Sequence, residues 1–454
     1  MSINTTSCEP YQRVEDQYAG RSVFITGGTG FMGKVFIEKL LYSCPKLDKI
    51  FLLLRDKEKS DPKKRIEQLL ELPIFQRLKN ERPEALYKIV PVKGDVGLLN
   101  LGLSDEDREM LIEEVSYVFH FAANIKFNEP LKHAMHINVE GTRRVLHLSR
   151  LIKNIKGFVY ISTAFSHSEQ KVLEEYIYPS TVSIDDVYKI LKQGENNQEL
   201  IKKLLVDKPN TYTFTKALAE NVVNEEHGDV PTVIIRPSIV AASYNEPLKG
   251  WLDNWFGGTF LISSISTGLI KIILNERSTV TDLIPVDYVS NLTVVAAAKC
   301  NRSGDVKVYN SCTSAANPVT IGNLYDFLLE DHAQNNQKGS TKPSVIFTQQ
   351  EWFITIYTTI MQIIPAFLVD CWLRLTGKRP RFLKLQRKIL YIYQNLRYFT
   401  SRTWNMRCDR TSELFATLSV SDRIEFPFDP AQIVWTKYVP IYYKGIREHL
   451  FKSK

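Results

Sequence analysis

Cysteine is scarce in this sequence: there are six in 454 residues, Cys8, Cys44, Cys300, Cys312, Cys371 and Cys408, at no paired or metal-ligand spacing. That speaks against a disulfide-stapled secreted scaffold and against a metal cluster, so no metal is expected and the thiols read as reduced and cytosol-facing. Met1 to Tyr18 lacks an apolar run, so no secretory signal is expected there. On that reading the sequons at Asn4, Asn291 and Asn301 mean nothing. The closing Lys452-Ser-Lys454 is not the Ser-Lys-Leu peroxisomal address. No internal repeat is apparent. Charge of one sign is also in short supply: 58 Lys and Arg stand against 50 Asp and Glu, a net +8, spread widely apart from a concentration at residues 374–388. Such a balance fits phosphate-bearing ligands or an anionic membrane face, and no nucleic-acid partner is expected.

What is present is enough apolar material, 44% of the chain, for one large α/β core with roughly a hundred residues left for a second unit. Residues 22–33 run from an apolar strand into Gly27-Gly28-Thr29-Gly30-Phe31-Met32-Gly33. Glycines at these places allow a tight turn, close approach to a pyrophosphate and close packing of the next helix, whose N-terminal N–H groups then face the phosphates. Gly28 to Lys34 also spells a triphosphate loop, but Val35 stands where the magnesium-binding hydroxyl belongs. The turn therefore reads as a dinucleotide site.

A helix over 33–43 and a strand over 50–54 follow. The strand ends in Arg55-Asp56, where the adenosine ribose should lie; Arg55 comes first and favours a 2′-phosphate, hence NADPH. A third strand over 88–93 ends in Gly94-Asp95, whose carboxylate is suited to the adenine amine. A fourth, 115–121, ends in His120-Phe-Ala122-Ala123-Asn124, with small side chains that let a cofactor lie against the backbone. His120 itself reads as a core histidine.

The fifth strand, Gly157 to Ile161, precedes Ser162-Thr163, hydroxyls at the carboxyl end of a parallel sheet where ligands bind. Tyr212 and Lys216 share one face of a helical stretch. A cationic Lys216 would lower the Tyr212 pKa for proton exchange with a substrate oxygen and would also reach the cofactor ribose, while Thr163 orients that oxygen. Tyr-x-x-x-Lys occurs at two other places. Tyr42/Lys46 is excluded by Pro45. Tyr188/Lys192 competes, but the Tyr212 helix leads directly into the strand Thr232 to Ile235 and Arg236-Pro237-Ser238, as an alternating α/β order requires.

Together Gly27-x-x-Gly30-x-x-Gly33, Gly94-Asp95, His120-x-Ala122-Ala123, Asn138-Val-x-Gly-Thr142, Ser162-Thr163-Ala164, Tyr212-x-x-x-Lys216, Arg236-Pro-Ser238 and Ile284-Pro-Val-Asp287 resemble the extended short-chain dehydrogenase/reductases. More narrowly the chain resembles the alcohol-forming fatty acyl-CoA reductases of the insect type. Gly250 to Asn254, Pro365, Asp370, Gly377, Pro380, Tyr398-Phe399 and Trp404 carry the likeness into the C-terminal part. Asn124, His167 and Gly257-Gly258 depart from the family pattern.

The resemblance implies a doubly wound parallel (Rossmann) sheet with an interleaved substrate region and a helical C-terminal domain. It implies a tail over 1–17, an NADPH-binding domain over 18–300 with substrate segments near 167–210 and 240–330, and a membrane-associated domain over 350–454. It also implies catalysis by Thr163, Tyr212 and Lys216. The cofactor contacts are Gly27, Thr29, Gly30, Phe31, Gly33, Arg55, Asp95, Val96, Ala122, Ala123, Asn138, Tyr212, Lys216, Pro237 and Ser238. The implied reaction takes a long-chain acyl-CoA to a primary alcohol with two NADPH. A sterol-type dehydrogenase and a non-catalytic NADPH-binding membrane adaptor are the rival readings.

Residues 353–369 carry no charge and lie between Trp352 and Trp372. The run is slightly short for a span of about 20 residues, so a buried or re-entrant helix competes with a span. Behind it come Arg374, Lys378, Arg379, Arg381, Lys384, Arg387 and Lys388, a flank suited to membrane lipid at a cytosolic face. The endoplasmic reticulum is favoured over the peroxisome. A second apolar stretch, Phe256 to Leu274, reads as a helix packed on the substrate cleft or lining an acyl tunnel, with Trp251 and Trp255 near its mouth. Nothing in the sequence sets an oligomeric state.

Overall fold

Alternate residues of each central strand enter different cores. Val23 and Ile25 join one cluster and Phe24 another; Val159 and Ile161 part from Phe158 and Tyr160, and Val233 and Ile235 from Ile234. A strand buried on both faces needs an unbroken apolar run, and helices must cover both sides of the sheet.

A computed structural model describes residues 11–56, 61–194, 198–205, 208–300, 304–334 and 342–451. Cys8, the sequons at Asn4 and Asn301, most of the 1–17 tail and Lys452 to Lys454 lie outside the described residues. The seven strands of the main sheet are β1 (Ser22–Thr26), β2 (Ile50–Leu54), β3 (Ile89–Lys93), β4 (Val115–His120), β5 (Gly157–Ile161), β6 (Thr232–Pro237) and β7 (Lys307–Ser311). All pairings are parallel, in the spatial order β7-β6-β5-β4-β1-β2-β3. This is the doubly wound sheet expected, and its order reverses between β1 and β4, which opens a crevice at their carboxyl ends. The outermost strand, β7, falls beyond residue 300, where the sequence reading ended the nucleotide-binding unit.

Helices α1 (Phe31–Ser43) and α5 (Val286–Ala298) cover one face, α2 (Glu140–Leu151) and α3 (Thr211–Glu226) the other. The helix α4 (Gly257–Ser266) is largely buried and is followed by a short strand, Ile272–Leu274. Cys44, Cys300, Cys312, Cys371 and Cys408 are free thiols. Asn291 is buried, with its amide donating to the Pro427 carbonyl at 2.8 Å.

The C-terminal part is helical: α6 (Glu351–Leu375), α7 (Phe382–Thr400) and α8 (Trp435–Gly445). It packs onto the sheet domain, where Asn405–Met406 pairs with Val172–Leu173 and Gly250 meets Gly445 backbone to backbone. A Cβ on Gly445 would fall within 3 Å of three Gly250 backbone atoms. Two expectations fail. Trp251 is buried and stacked on Phe31, ring centroids 5.5 Å apart, so it stands at no tunnel mouth. The apolar run at 353–369 is not a buried helix, because the apolar window of α6 is only 6% buried.

Candidate active site

The glycine turn closes the sheet crevice from one side. Gly27 has φ +74°, and a Cβ there would lie 2.5 Å from the Ala122 nitrogen; one on Gly33 would meet Gly28 Cα at 2.5 Å. Side chains at these two positions would drive β1 from β4 and α1 from β1. No side chain caps α1, which leaves its first N–H groups directed out of the turn. Thr29 and Gly30 are exposed there. Lys34, the residue a triphosphate loop would aim at phosphate, pairs with Asp253 instead.

At the neighbouring strand ends, Ala122 N–H donates to Thr26 Oγ1 at 3.3 Å. Asp95 accepts from Gly97 N–H at 2.8 Å, an Asx turn closing β3. Val96 is buried beneath Gly141. Arg55 stands exposed after β2, and its carbonyl accepts from the Arg65 guanidinium at 2.6 Å. Ser238, just past β6, has a buried hydroxyl without a hydrogen-bond partner. An orphaned hydroxyl and a cradle that side chains would fill both suit a dinucleotide.

The Thr163 hydroxyl lies beside the Pro237 carbonyl at 3.5 Å and accepts from Phe165 N–H at 3.3 Å, close enough to the Tyr212 phenol to act on its pKa. Tyr212 opens α3, whose N-cap is Asn210, accepting from Thr213 N–H at 2.9 Å. Its ring stacks on Phe127, centroids 6.0 Å apart, and Phe127 in turn meets Phe399 of α7. Trp404 Nε1 donates to the Ser168 carbonyl at 2.9 Å. The C-terminal aromatic residues therefore wall the site. Tyr188 is helical too, but it donates to Glu140 at 2.9 Å, in a separate apolar cluster.

Lys216 does not lower the Tyr212 pKa as the sequence reading expected. Its ammonium donates to the Ile161 carbonyl at 2.5 Å and to the Tyr160 hydroxyl at 3.2 Å. Burial pushes Lys216 down to about 7, opposed by Glu220. Tyr212 is raised to about 12 by burial, the Thr163 hydroxyl opposing, and is not lowered by Lys216. Desolvation outweighs the attraction that the shared helix face suggested.

Asn138 also differs from a direct ligand. Its amide donates to the Asn124 carbonyl at 3.0 Å and to Thr215 Oγ1 at 2.9 Å, and its oxygen accepts from Asn124 N–H at 2.8 Å. It clamps the Asn124 loop to α3. His120 is a core histidine, held between Thr26 at 2.6 Å and Thr142 at 3.0 Å, and pushed down to about 3 by burial and then Lys216.

Sequence reasoning missed the buried charge cluster beneath these residues. Glu220, one turn beyond Lys216, takes hydrogen bonds from Arg236, Ser162, Ser166 and His167. Burial alone would raise its carboxyl, but Arg236 and His167 hold it well below the ordinary range. His167, noted only as a departure, belongs to this cluster. Nothing in the sequence marked it: the i, i+4 spacing from Lys216 to Glu220 reads as an ordinary helix-surface pair.

Two regions match families described as male sterility protein: an NAD-binding family over residues 25–293 and a second family, Sterile, over 361–453. Fatty acyl-CoA reductase 1 of Homo sapiens is 34% identical over 446 residues, 97% of this chain and 87% of that protein. Fatty acyl-CoA reductase 2 of Mus musculus is 34% identical over 444 residues, 96% and 86% of the two chains. Among solved structures, the terminal R domain from the myxalamid PKS-NRPS biosynthetic pathway shares the fold with a TM-score of 0.61 at 18% identity, over 95% of this chain and 92% of that one. The match of the NAD-binding male sterility family to most of the chain, and a likeness to these reductases that runs almost end to end, place this chain in the fatty acyl-CoA reductase family of male sterility proteins.

Proposed function

We propose that the chain reduces a long-chain acyl-CoA to the primary alcohol in two NADPH-dependent hydride transfers, releasing coenzyme A. The observation that carries this reading is the likeness to fatty acyl-CoA reductases along almost the whole chain, with the Tyr212 phenol and the Thr163 hydroxyl close together at the sheet crevice.

The Gly27–Gly33 turn and the first N–H groups of α1 hold the pyrophosphate. Arg55 takes the 2′-phosphate, Asp95 and Val96 border the adenine, and Ala122 and Ala123 let the cofactor lie against the backbone. Ser238 uses its orphaned hydroxyl, and Lys216 reaches the ribose. Bound NADPH supplies the hydride. Thr163 and Tyr212 donate hydrogen bonds to the carbonyl oxygen as negative charge develops on it. A phenol raised to about 12 stays protonated at neutral pH, so Tyr212 is a proton donor and gives its proton to that oxygen. The resulting hemithioacetal collapses, its hydroxyl proton returning to the Tyr212 phenolate as the C–S bond breaks and coenzyme A leaves as a thiolate that solvent protonates; the regenerated phenol and Thr163 then serve the aldehyde in the second reduction. Asn138 positions α3 and the Asn124 loop. The exposed apolar helix α6 and its basic flank support membrane association, which we assign to the cytosolic side of the endoplasmic reticulum.

Membranes containing the expressed protein, given NADPH and acyl-CoAs of twelve to eighteen carbons, should yield primary alcohols by gas chromatography, with two NADPH consumed per product. NADPH binding without alcohol or aldehyde from any acyl-CoA would refute the reading.

A further inference from the structure

Helices α6 and α7 leave the protein and return to the place they left. Ahead of α6, Ile346–Thr348 pairs with Ile272–Leu274, and Asn275 N–H donates to the Thr348 carbonyl at 2.8 Å. Along the far half of α7, the Tyr393 hydroxyl accepts from Leu274 N–H at 2.6 Å, and the Asn275 amide donates to the Thr400 carbonyl at 2.5 Å. Both legs of the hairpin are fastened to Leu274 and Asn275. Asp370 near its turn accepts the N–H groups of Arg381, Phe382 and Leu383, each at 2.9 Å, and Gln386 donates to Gln362 across the legs at 2.5 Å.

The hairpin surface is of two kinds. Trp352, Ile356, Ile360, Ile364, Leu368 and Trp372 recur every four residues and are 45–64% exposed. A four-residue step drifts about 40° round an α-helix; the π-turn at Thr359–Ile363 winds back part of that drift, so the stripe stays continuous. The second kind is charge. Residues 371–396 hold seven Lys and Arg, all exposed, and no Asp or Glu, which is nearly the whole net charge of the chain.

By length alone α6 would cross a bilayer: 25 residues extend about 37 Å, against a hydrocarbon core of about 30 Å. The anchoring forbids it. Were α6 to cross, the turn at 376–381 would lie on the far side, and α7 would carry Lys384, Arg387 and Lys388 back through hydrocarbon before reaching Leu274.

We propose that the hairpin is an in-plane lipid-binding element seated in one leaflet, with the α6 stripe at the acyl-chain boundary and the basic turn among anionic phospholipid headgroups. This deepens, and rests on, the membrane association proposed above. The all-positive flank selects lipid phosphate over a second copy of the chain, which would bring like charges together across the same face.

The test uses the full chain. In flotation assays it should bind phosphatidylcholine vesicles containing phosphatidylserine at least about tenfold better than phosphatidylcholine alone, with the difference lost at high salt. The double change Lys378→Glu and Arg379→Glu should remove that preference, and Leu368→Ser with Trp372→Ser should weaken binding to both vesicles. In sealed microsomes, Thr376→Cys should react with an impermeant maleimide without permeabilisation, read by peptide mass at that residue. Protection of that position until the vesicles are opened would make α6 a span and overturn the in-plane proposal while leaving membrane association standing. Equal binding to both vesicle types would overturn the anionic-headgroup assignment. Flotation with neither vesicle, or self-association that Leu368→Ser abolishes in the absence of lipid, would overturn both readings.

Discussion

Glu220 and Arg236 form an ion pair closed to solvent on both sides, with Arg236 Nη2 2.6 Å from Glu220 Oε2. Glu220 lies on α3 in line with Lys216 and Tyr212, while Arg236 ends β6, so the pair sets the height of the Tyr212 and Lys216 face of α3 above the strand ends. Ser162, next to Thr163, joins the same carboxylate at 2.5 Å. The pair thus ties three parts of the site to one another.

Removing one partner leaves a buried charge uncompensated. Glu220→Gln should therefore cost about 3–5 kcal/mol, visible as a large drop in the denaturation midpoint. A loss below about 1 kcal/mol, the value of an exposed pair, would show that Arg236 finds compensation elsewhere.

Tyr212→Phe keeps the ring stacked on Phe127 and removes only the proton donor. Alcohol formation should fall by about a hundredfold or more, with NADPH affinity, read by fluorescence titration, nearly unchanged. Tyr188→Phe loses a single bond to Glu140 and should retain activity. The reverse pattern would move the chemistry to the other motif.

Burial lowers the Lys216 pKa from its ordinary 10.5 to about 7, so between those values the unfolded chain binds more protons than the folded one. This residue should make the cofactor-free protein more stable as pH rises through that window. Melting temperatures of wild type and Lys216→Met, compared from pH 7 to 10, should converge as the wild type gains. A constant difference would mean that Lys216 stays charged when buried.

Arg55 is the one strand-end cation that the NADPH assignment rests on. Arg55→Ala should weaken NADPH binding by about tenfold to a hundredfold, the worth of a charged hydrogen bond, and leave NADH binding almost unaltered. An equal loss for both would place the 2′-phosphate elsewhere, Arg65 being the neighbouring candidate.

The glycine turn was legible because its chemistry is local: strand, turn and helix lie within twelve consecutive residues, and each glycine answers to a backbone constraint. The strands β2 and β5 were legible as short apolar runs with turn residues at their ends. The Glu220 cluster was not, because its members come from three separate segments, and a lone Glu in a helical stretch carries no mark of burial. Asn138 was readable as part of a motif but not as a clamp, since its partners Asn124 and Thr215 come from a different loop and a different helix.

By itself the sequence determined the doubly wound sheet, the dinucleotide turn and the candidate Tyr212, Thr163 and Lys216, because periodicity and turn chemistry act over a few residues. Only the tertiary structure decided that Tyr188 is held by Glu140, that Lys216 bonds the Ile161 carbonyl, and that α7 returns to the strand α6 departed from. Those outcomes depend on which distant segments desolvate one another, and desolvation belongs to the packed chain.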